Sequence, residues 1–179
     1  AFSLTPPEND FVTERIMSAF DHFIDVSTKT EDEIAELSNN LNIDIAIDLM
    51  GFTKYNKFKI FLKKCSPIQI NYLGYSSSYG SGSMDYIIAD KIVIPKENIN
   101  KYSEKIIYLP NCFMPTDFKN IKLNNNVKRK DFNLPDEAFV FCSFNKQYKI
   151  NPEIFNIWMN LLEKIENSVL WLKVTNTEA

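Results

Sequence analysis

Two periods of apolar residues alternate along this chain. Residues 8–20 repeat at helical spacing, with Phe11, Ile16, Met17 and Phe20 on one face. A short apolar run follows at 23–26. Thr30 and Glu33 form a capping box, which predicts a second helix carrying Ile34, Leu37 and Leu41. Branched residues dominate 43–49, a predicted strand that ends in Met50-Gly51-Phe52-Thr53-Lys54. A third helix over 57–64 turns Phe58, Phe61 and Leu62 inward. Pro67 introduces a strand over 68–73, and short strands are predicted at 86–88, 92–94 and 105–109.

Strands alternating with helices of this length predict βαβ units. They imply a parallel sheet, right-handed crossovers and helices on both faces. Between Pro110 and Pro135 the apolar period lapses, and Asn, Lys and Pro dominate. Residues 111–135 therefore read as an interdomain linker. A new unit starts beyond it, with a strand at 138–144 and another at 168–174. Between them Pro152 opens a helix expected to bury Ile154, Phe155, Trp158, Leu161 and Leu162. The expected organisation is α/β: residues 1–110 form part of one parallel domain, and residues 136–179 begin a second. Only one βαβ unit of the second is present, which leaves Trp158 and Trp171 poorly covered.

Composition narrows the chemistry mainly by exclusion. A net charge of -3 supplies neither the basic footprint of a nucleic-acid binder nor a basic face for a membrane. The basic run Lys128-Arg129-Lys130 reads as solvated linker. Cys65, Cys112 and Cys142 are odd in number and lack CxxC spacing, and His22 is the single imidazole, so no zinc set is implied. Reduced thiols in a cytoplasmic protein are expected, with Cys142 in the core. No run approaches 18 apolar residues. The missing initiator Met, and an end directly after a strand, suggest an internal piece of a longer chain.

Open α/β sheets bind ligands beyond the carboxyl ends of their strands. All four glycines lie at two such ends: Gly51 at one, and Gly74, Gly80 and Gly82 at the next. The Ser-, Gly- and Tyr-rich stretch 74–82 is longer than most such connections. At a third strand end, Ser143-Phe-Asn-Lys-Gln-Tyr-Lys149 offers Lys146 and Lys149 to a diphosphate just ahead of a helix, although the spacing equally suits a solvated loop. No dinucleotide fingerprint, P-loop, nucleophile elbow or H-E-x-x-H motif occurs. His22, beside Asp21, reads as structural. Asp44 and Asp48 fall on one strand face as strand start and strand-end turn, and do not make a glycosidase pair.

Several segments together resemble the catalytic region of O-GlcNAc transferases, including bacterial relatives. They are His22-Phe-Ile-Asp25, Gly51-Phe-Thr-Lys54, Pro67-Ile-Gln69, Leu73-Gly-Tyr75, Met84-Asp-Tyr-Ile-Ile88, Tyr102-Ser-Glu-Lys105, Cys142-Ser-Phe-Asn145, Tyr148-Lys149 and Ser168-Val-Leu-Trp-Leu172. The order and spacing carry the likeness over nearly the whole chain. It implies a GT-B core, in which two Rossmann-like domains face each other across a nucleotide-sugar cleft. It also implies a UDP-sugar co-substrate (most simply UDP-GlcNAc), a protein Ser or Thr acceptor, and no metal or other cofactor. By this resemblance Lys149 is the catalytic cation on the donor diphosphate. Phe144, Asn145, Lys146 and Tyr148 line the donor site, Leu73 and Gly74 lie against the sugar, and Phe52 and Lys54 sit at the rim.

The chain departs from the family pattern at three places. Lys146 stands where Gln is usual, which bears on nucleotide preference. Phe52 replaces a usual Tyr. Ser76-Ser77-Ser78 replaces Pro-Gly-Thr, which implies a looser sugar-facing loop and room for altered specificity. The family's Asp-x-x-x-His-Pro and His-Thr-Thr segments and its tetratricopeptide repeats are not in these residues, so the 179 residues alone are expected not to turn over. Two other readings fit: a UDP-glucose-using protein N-glucosyltransferase of the related bacterial type, and a non-catalytic Rossmann-like or flavodoxin-like interaction module.

Overall fold

A computed structural model of the chain describes residues 1–116 and 126–173. The chain divides into two units, Ala1–Asp117 and Phe118–Ala179. Residues 117–125 of the expected linker, and position 174 of the last expected strand, lie outside the described residues.

The first unit opens with β1 (Phe2–Ser3) and β2 (Ile24–Asp25), paired in parallel. Between them α1 (Phe11–Ser18) starts later than its apolar period suggests. Asp10 is the cap, its carboxylate accepting from the Thr13 N–H, so the chain before it is not helical. Phe11, Ile16, Met17 and Phe20 are all exposed. Helix α2 (Glu31–Asn40) begins at the expected capping box, where Thr30 and Glu33 satisfy each other's backbone N–H groups. It buries Ile34 and Ala35, whereas Leu41 falls at its C-cap and stays exposed.

Four parallel strands follow: β3 (Ile45–Asp48), β4 (Ile68–Tyr72), β5 (Tyr86–Ala89) and β6 (Lys105–Tyr108), neighbours in chain order. Helix α3 (Lys59–Leu62) is a single turn joining β3 to β4, and it buries Ile60 and Phe61 rather than Leu62. Lys57, just ahead of it, donates to the carbonyls of Val26, Ser27 and Lys29 and so closes the turn after β2. No strand forms at 92–94. The Asp90 carboxylate accepts from the N–H groups of Ile92, Val93 and Phe113, each at 2.9 Å, which folds the segment into a turn and buries Ile94.

The strand register sorts side chains onto two faces. Ala46, Asp48, Gln69, Asn71, Ile87, Ala89 and Ile106 share one face. Against it pack α2, α3 and the 73–85 connection through Ile34, Ala35, Phe61, Tyr79 and Met84. The β5–β6 connection packs there through Val93, Ile94 and Tyr102. The opposite face carries Ile45, Ile47, Ile68, Ile70, Tyr72, Tyr86, Ile88 and Ile107. Ile45 is 51% exposed and Ile47 49%. Helices on both faces were expected; among the described residues helices pack on one face only, although Ile70 on the other is buried. The reason is topological. Strands laid down in one direction by crossovers of one hand place every connection on the same side.

The second unit holds β7 (Phe139–Ser143) and β8 (Ser168–Leu172), paired in parallel through α4 (Pro152–Lys164). Asn151 caps α4, with its side chain accepting from the Ile154 N–H, and Pro152 occupies the first turn. The helix buries none of its residues. Ile154, Phe155 and Leu161 are exposed, while Trp158 and Leu162 are half-buried around an apolar hollow shared with Phe141 and Leu170. Trp171 is better covered than its position suggests, lying between the rings of Phe132 and Phe144 at 5.0 Å each. Cys142, expected in the core, is exposed, because a two-stranded sheet has no further layer to cover it. The basic run Lys128-Arg129-Lys130 ahead of β7, read as solvated linker, takes a defined path. It enters a 3-10 turn, Arg129–Phe132, and Arg129 donates to the carbonyls of Pro135 and Ala138.

Two outcomes are expected. The chain on its own binds a hydrophobic dye and self-associates, and Ile45→Lys with Ile107→Glu reduces both without altering its far-ultraviolet circular dichroism. The second concerns Asp90, whose carboxyl is held below the usual carboxylate range by the N–H of Val93 and then those of Phe113 and Ile92. That depression adds stability above about pH 4, and the contribution is lost as pH falls below it. Asp90→Asn should therefore lower Tm at neutral pH, with a difference from the parent that shrinks in melts run at progressively lower pH.

Candidate functional site

The site residues expected from the sequence all lie in the stretches that leave the carboxyl ends of strands: Phe52 and Lys54 after β3, Leu73 and Gly74 after β4, and 144–149 after β7. In the first unit the loops after β3 and β4 interlock. Gly51 has φ +57° and faces Tyr75, so a Cβ there would stand 2.1 Å from the Tyr75 Cβ. Gly74 has ordinary φ, but its Cβ would meet the Leu49 carbonyl oxygen at 2.2 Å and that of Met50 at 2.9 Å. Between them Leu73 takes φ +76°, and the Gly74 N–H donates to the Tyr72 carbonyl at 3.0 Å. This is a γ-turn of the rare positive-φ kind, a strained geometry for a branched residue.

Phe52 anchors the interlock. Its ring lies 5.2 Å from Phe58, 5.3 Å from Tyr75 and 4.7 Å from Tyr79. The structure thus brings Phe52, Leu73 and Gly74 into one assembly of loops. Lys54 points elsewhere, with its ammonium 4.6 Å over the exposed Tyr55 ring.

Beneath these loops sits a polar layer of which the sequence pattern singled out only Asp48, as a strand-end turn. Asp48 is buried, and its carboxylate accepts from the N–H groups of Met50 (2.9 Å) and Gly51 (3.1 Å) and from the Tyr79 hydroxyl. Burial first, and then the bond to Asp48, push the Tyr79 hydroxyl far up, so it keeps its proton and donates it to Asp48. Asn71, next to Asp48 across the strand pair, donates to the carbonyls of Tyr75 (3.0 Å) and Ser77 (3.1 Å). Glu104, at the foot of β6 and also buried, accepts from the Ser78 hydroxyl and the Tyr79 N–H, both at 2.7 Å. Tyr102 donates to the Ser76 carbonyl at 3.2 Å. The expectation of a loose Ser76-Ser77-Ser78 loop is therefore corrected: Asn71, Tyr102 and Glu104 together hold every residue from Tyr75 to Tyr79. The available signal was a Ser-rich crossover opposite strand-end Asp and Asn.

In the second unit the stretch after β7 is a short 3-10 turn, Gln147–Lys149, entered from Lys146. Phe144 is half-exposed and packs edge-on against Trp171. Asn145, Lys146 and Lys149 are exposed, and Tyr148 is 79% exposed. The turn is followed at once by the N-terminus of α4, capped by Asn151. Two ammonium groups, a free aromatic face and a helix N-terminus make this stretch suited to an anionic ligand with a ring. Among the described residues no three His, Cys, Asp or Glu side chains gather to hold a metal ion. No described helix is long and apolar enough to cross a membrane. His22 is exposed, with its carbonyl receiving the Ala1 amino group.

The glycines give a graded test. Gly74→Ala and Gly51→Ala drive a Cβ into backbone or a side-chain base and should each cost about 2–3 kcal/mol in denaturant melts. Gly80→Ala and Gly82→Ala have positive φ but open space, and should cost only about 1 kcal/mol each.

The family profile of glycosyl transferase family 41 matches residues 1–128 and 119–177. Over 176 residues the chain is 38% identical to an Arabidopsis thaliana protein named as a probable UDP-N-acetylglucosamine–peptide N-acetylglucosaminyltransferase, SEC. That match covers 96% of this chain and 18% of the relative. A Caenorhabditis elegans UDP-N-acetylglucosamine–peptide N-acetylglucosaminyltransferase is 22% identical over 96% of this chain and 25% of its own length. Among solved structures, a mutant O-GlcNAc transferase of Thermobaculum terrenum superposes with a TM-score of 0.75 at 24% identity, over 96% of this chain and 31% of that one, and it shares the GT-B fold. With its profile matched from end to end of the described residues, the chain belongs to glycosyl transferase family 41.

Proposed function

We propose that this chain contributes to a protein glycosyltransferase that moves GlcNAc from UDP-GlcNAc to Ser or Thr hydroxyls of a protein acceptor. The observation that carries the reading is 38% identity along 96% of the chain to a relative named as a probable UDP-N-acetylglucosamine–peptide N-acetylglucosaminyltransferase. The chain spans about a fifth of that relative's length, so activity belongs to the full-length protein.

In the reaction the acceptor oxygen bonds to the anomeric carbon as the bond to the UDP oxygen breaks. Negative charge gathers on the leaving diphosphate. Lys149 meets that charge with its ammonium, helped by the adjacent N-terminus of α4. Lys146 adds a second cation, and Tyr148 offers its ring to the nucleotide, with Phe144 and Asn145 alongside. Leu73 and Gly74 serve the sugar from the turn that the close approach of Gly74 to the Leu49 carbonyl fixes. Phe52 and Lys54 border the same loops. No metal is called on for this chemistry, and a cytoplasmic setting suits the free thiols.

Lys146 in place of the usual Gln keeps one alternative in play, a UDP-glucose donor. Competition between UDP-GlcNAc and UDP-glucose in the full-length protein separates the two. For the main reading, Lys149→Ala in the full-length protein should lower kcat about 10²–10³-fold, with its melting curve unchanged. Unchanged turnover would remove Lys149 from the mechanism. No transfer from either donor by the unsubstituted protein would end the transferase reading.

A further inference from the structure

The connection from β4 to β5 must travel back along the sheet to start a parallel strand, and such crossovers are usually helical. Here residues 73–85 make it without a helix. A helix would satisfy its own backbone groups; an irregular segment packed on a sheet cannot. Side chains from beneath take over that task. Asn71 holds the carbonyls of Tyr75 and Ser77, Tyr102 that of Ser76, Gln69 that of Ser83, and Glu104 the N–H of Tyr79. The Ser78 hydroxyl donates to Glu104 and accepts from the N–H groups of Gly80 and Ser103.

Glu104 stands out among these groups. It is a buried carboxylate without a salt-bridge cation within the described residues, and its two oxygens both go to this one loop. A buried charge is retained only where hydrogen bonds to it are worth the loss of water. Asn71 is equally committed. Both its amide hydrogens point at the loop, while its carbonyl oxygen is buried without a partner among the described residues. The near end of the loop is the strained turn at Leu73 and the tight approach of Gly74 to the Leu49 and Met50 carbonyls. A strained turn persists only where its surroundings fix it.

We infer that Glu104, with Asn71, is a positioning residue: from the far side of the crossover it fixes the path of residues 75–79 and so sets Leu73 and Gly74 for the donor sugar. The inference rests on the transferase reading for the sugar but not for the tether. Ser78 is part of the device. A hydroxyl on the loop gives Glu104 something to hold, which makes the Ser-rich sequence a replacement for stiffness in the backbone rather than a loss of it.

Two measurements on the full-length protein test this. Amide hydrogen exchange reads the tether. In Glu104→Ala the Tyr79 and Gly80 amides should lose protection while those of β4 and β5 keep theirs. Steady-state kinetics read its use: the donor KM should rise about tenfold with kcat within about threefold, because a loop set less often in its binding form weakens ground-state and transition-state binding alike. Glu104→Gln keeps an acceptor for the Tyr79 N–H but turns a donor toward the Ser78 hydroxyl, so it should restore part of both, more than Glu104→Ala does. Where Glu104→Ala lowers the yield of folded protein, Ser78→Ala cuts the same bond with a smaller change. Unaltered exchange in the loop overturns the tether whatever the protein catalyses. A freed loop with donor KM unchanged, or a fall in kcat alone such as loss of folded enzyme gives, overturns the positioning role. Absence of turnover in the unsubstituted protein counts against the transferase reading instead, and the exchange measurement still decides the tether.

Discussion

Much of the first unit depends on how two strand-end loops can touch. The loop after β3 and the loop after β4 meet with glycine on each side: Gly51 against Tyr75, Gly74 against the Leu49 and Met50 carbonyls. That contact needs the strand ends in register, and the register is held from below by Asp48 on the first loop and Asn71 on the second, side by side across β3 and β4. Asp48 also takes the Tyr79 hydroxyl, so one carboxylate fastens the strand end, the glycine turn and the crossover together. Neutral apolar groups of similar size could fill the space but would leave those backbone groups unpaired.

Gln69 does the same work one step back along β4. It is fully buried, yet every polar atom of its side chain is used: its amide donates to the carbonyls of Phe61 and Ser83, and its oxygen accepts from the N–H of Cys65. One face of β4 is therefore polar and buried, which is unusual for a central parallel strand. The layer above it explains why. Helix α3 is one turn long and the next connection has no helix at all, so loops with open backbone groups pack where helices would bring apolar side chains.

The other face of the same sheet shows the ordinary preference, a band of isoleucine and tyrosine side chains. In the second unit α4 and the β7–β8 pair likewise leave much of their apolar surface exposed. Both observations fit a family whose members are several times longer than this chain.

What the sequence by itself determined is what depends on neighbours in the chain. The parallel α/β class, the capping box at Thr30, the Pro152 helix start and the strand cores at 45–48, 68–72 and 105–108 follow from local period and capping chemistry. The ordered motifs carried the family. What local period could not supply was depth. The apolar stripes of α1 and α4 have helical spacing yet remain exposed, because burial needs a partner layer that spacing cannot report. The branched run Ile92-Val93-Ile94 reads as a strand until the carboxylate of Asp90 folds it into a turn. Ser76-Ser77-Ser78 reads as loose until Glu104, well along the chain, is brought beneath it. The serine loop was a tertiary decision because its buried partner Glu104 reaches it only once the sheet has formed, whereas Asp90 bonds Ile92 and Val93 locally and only its bond to Phe113 depends on the fold.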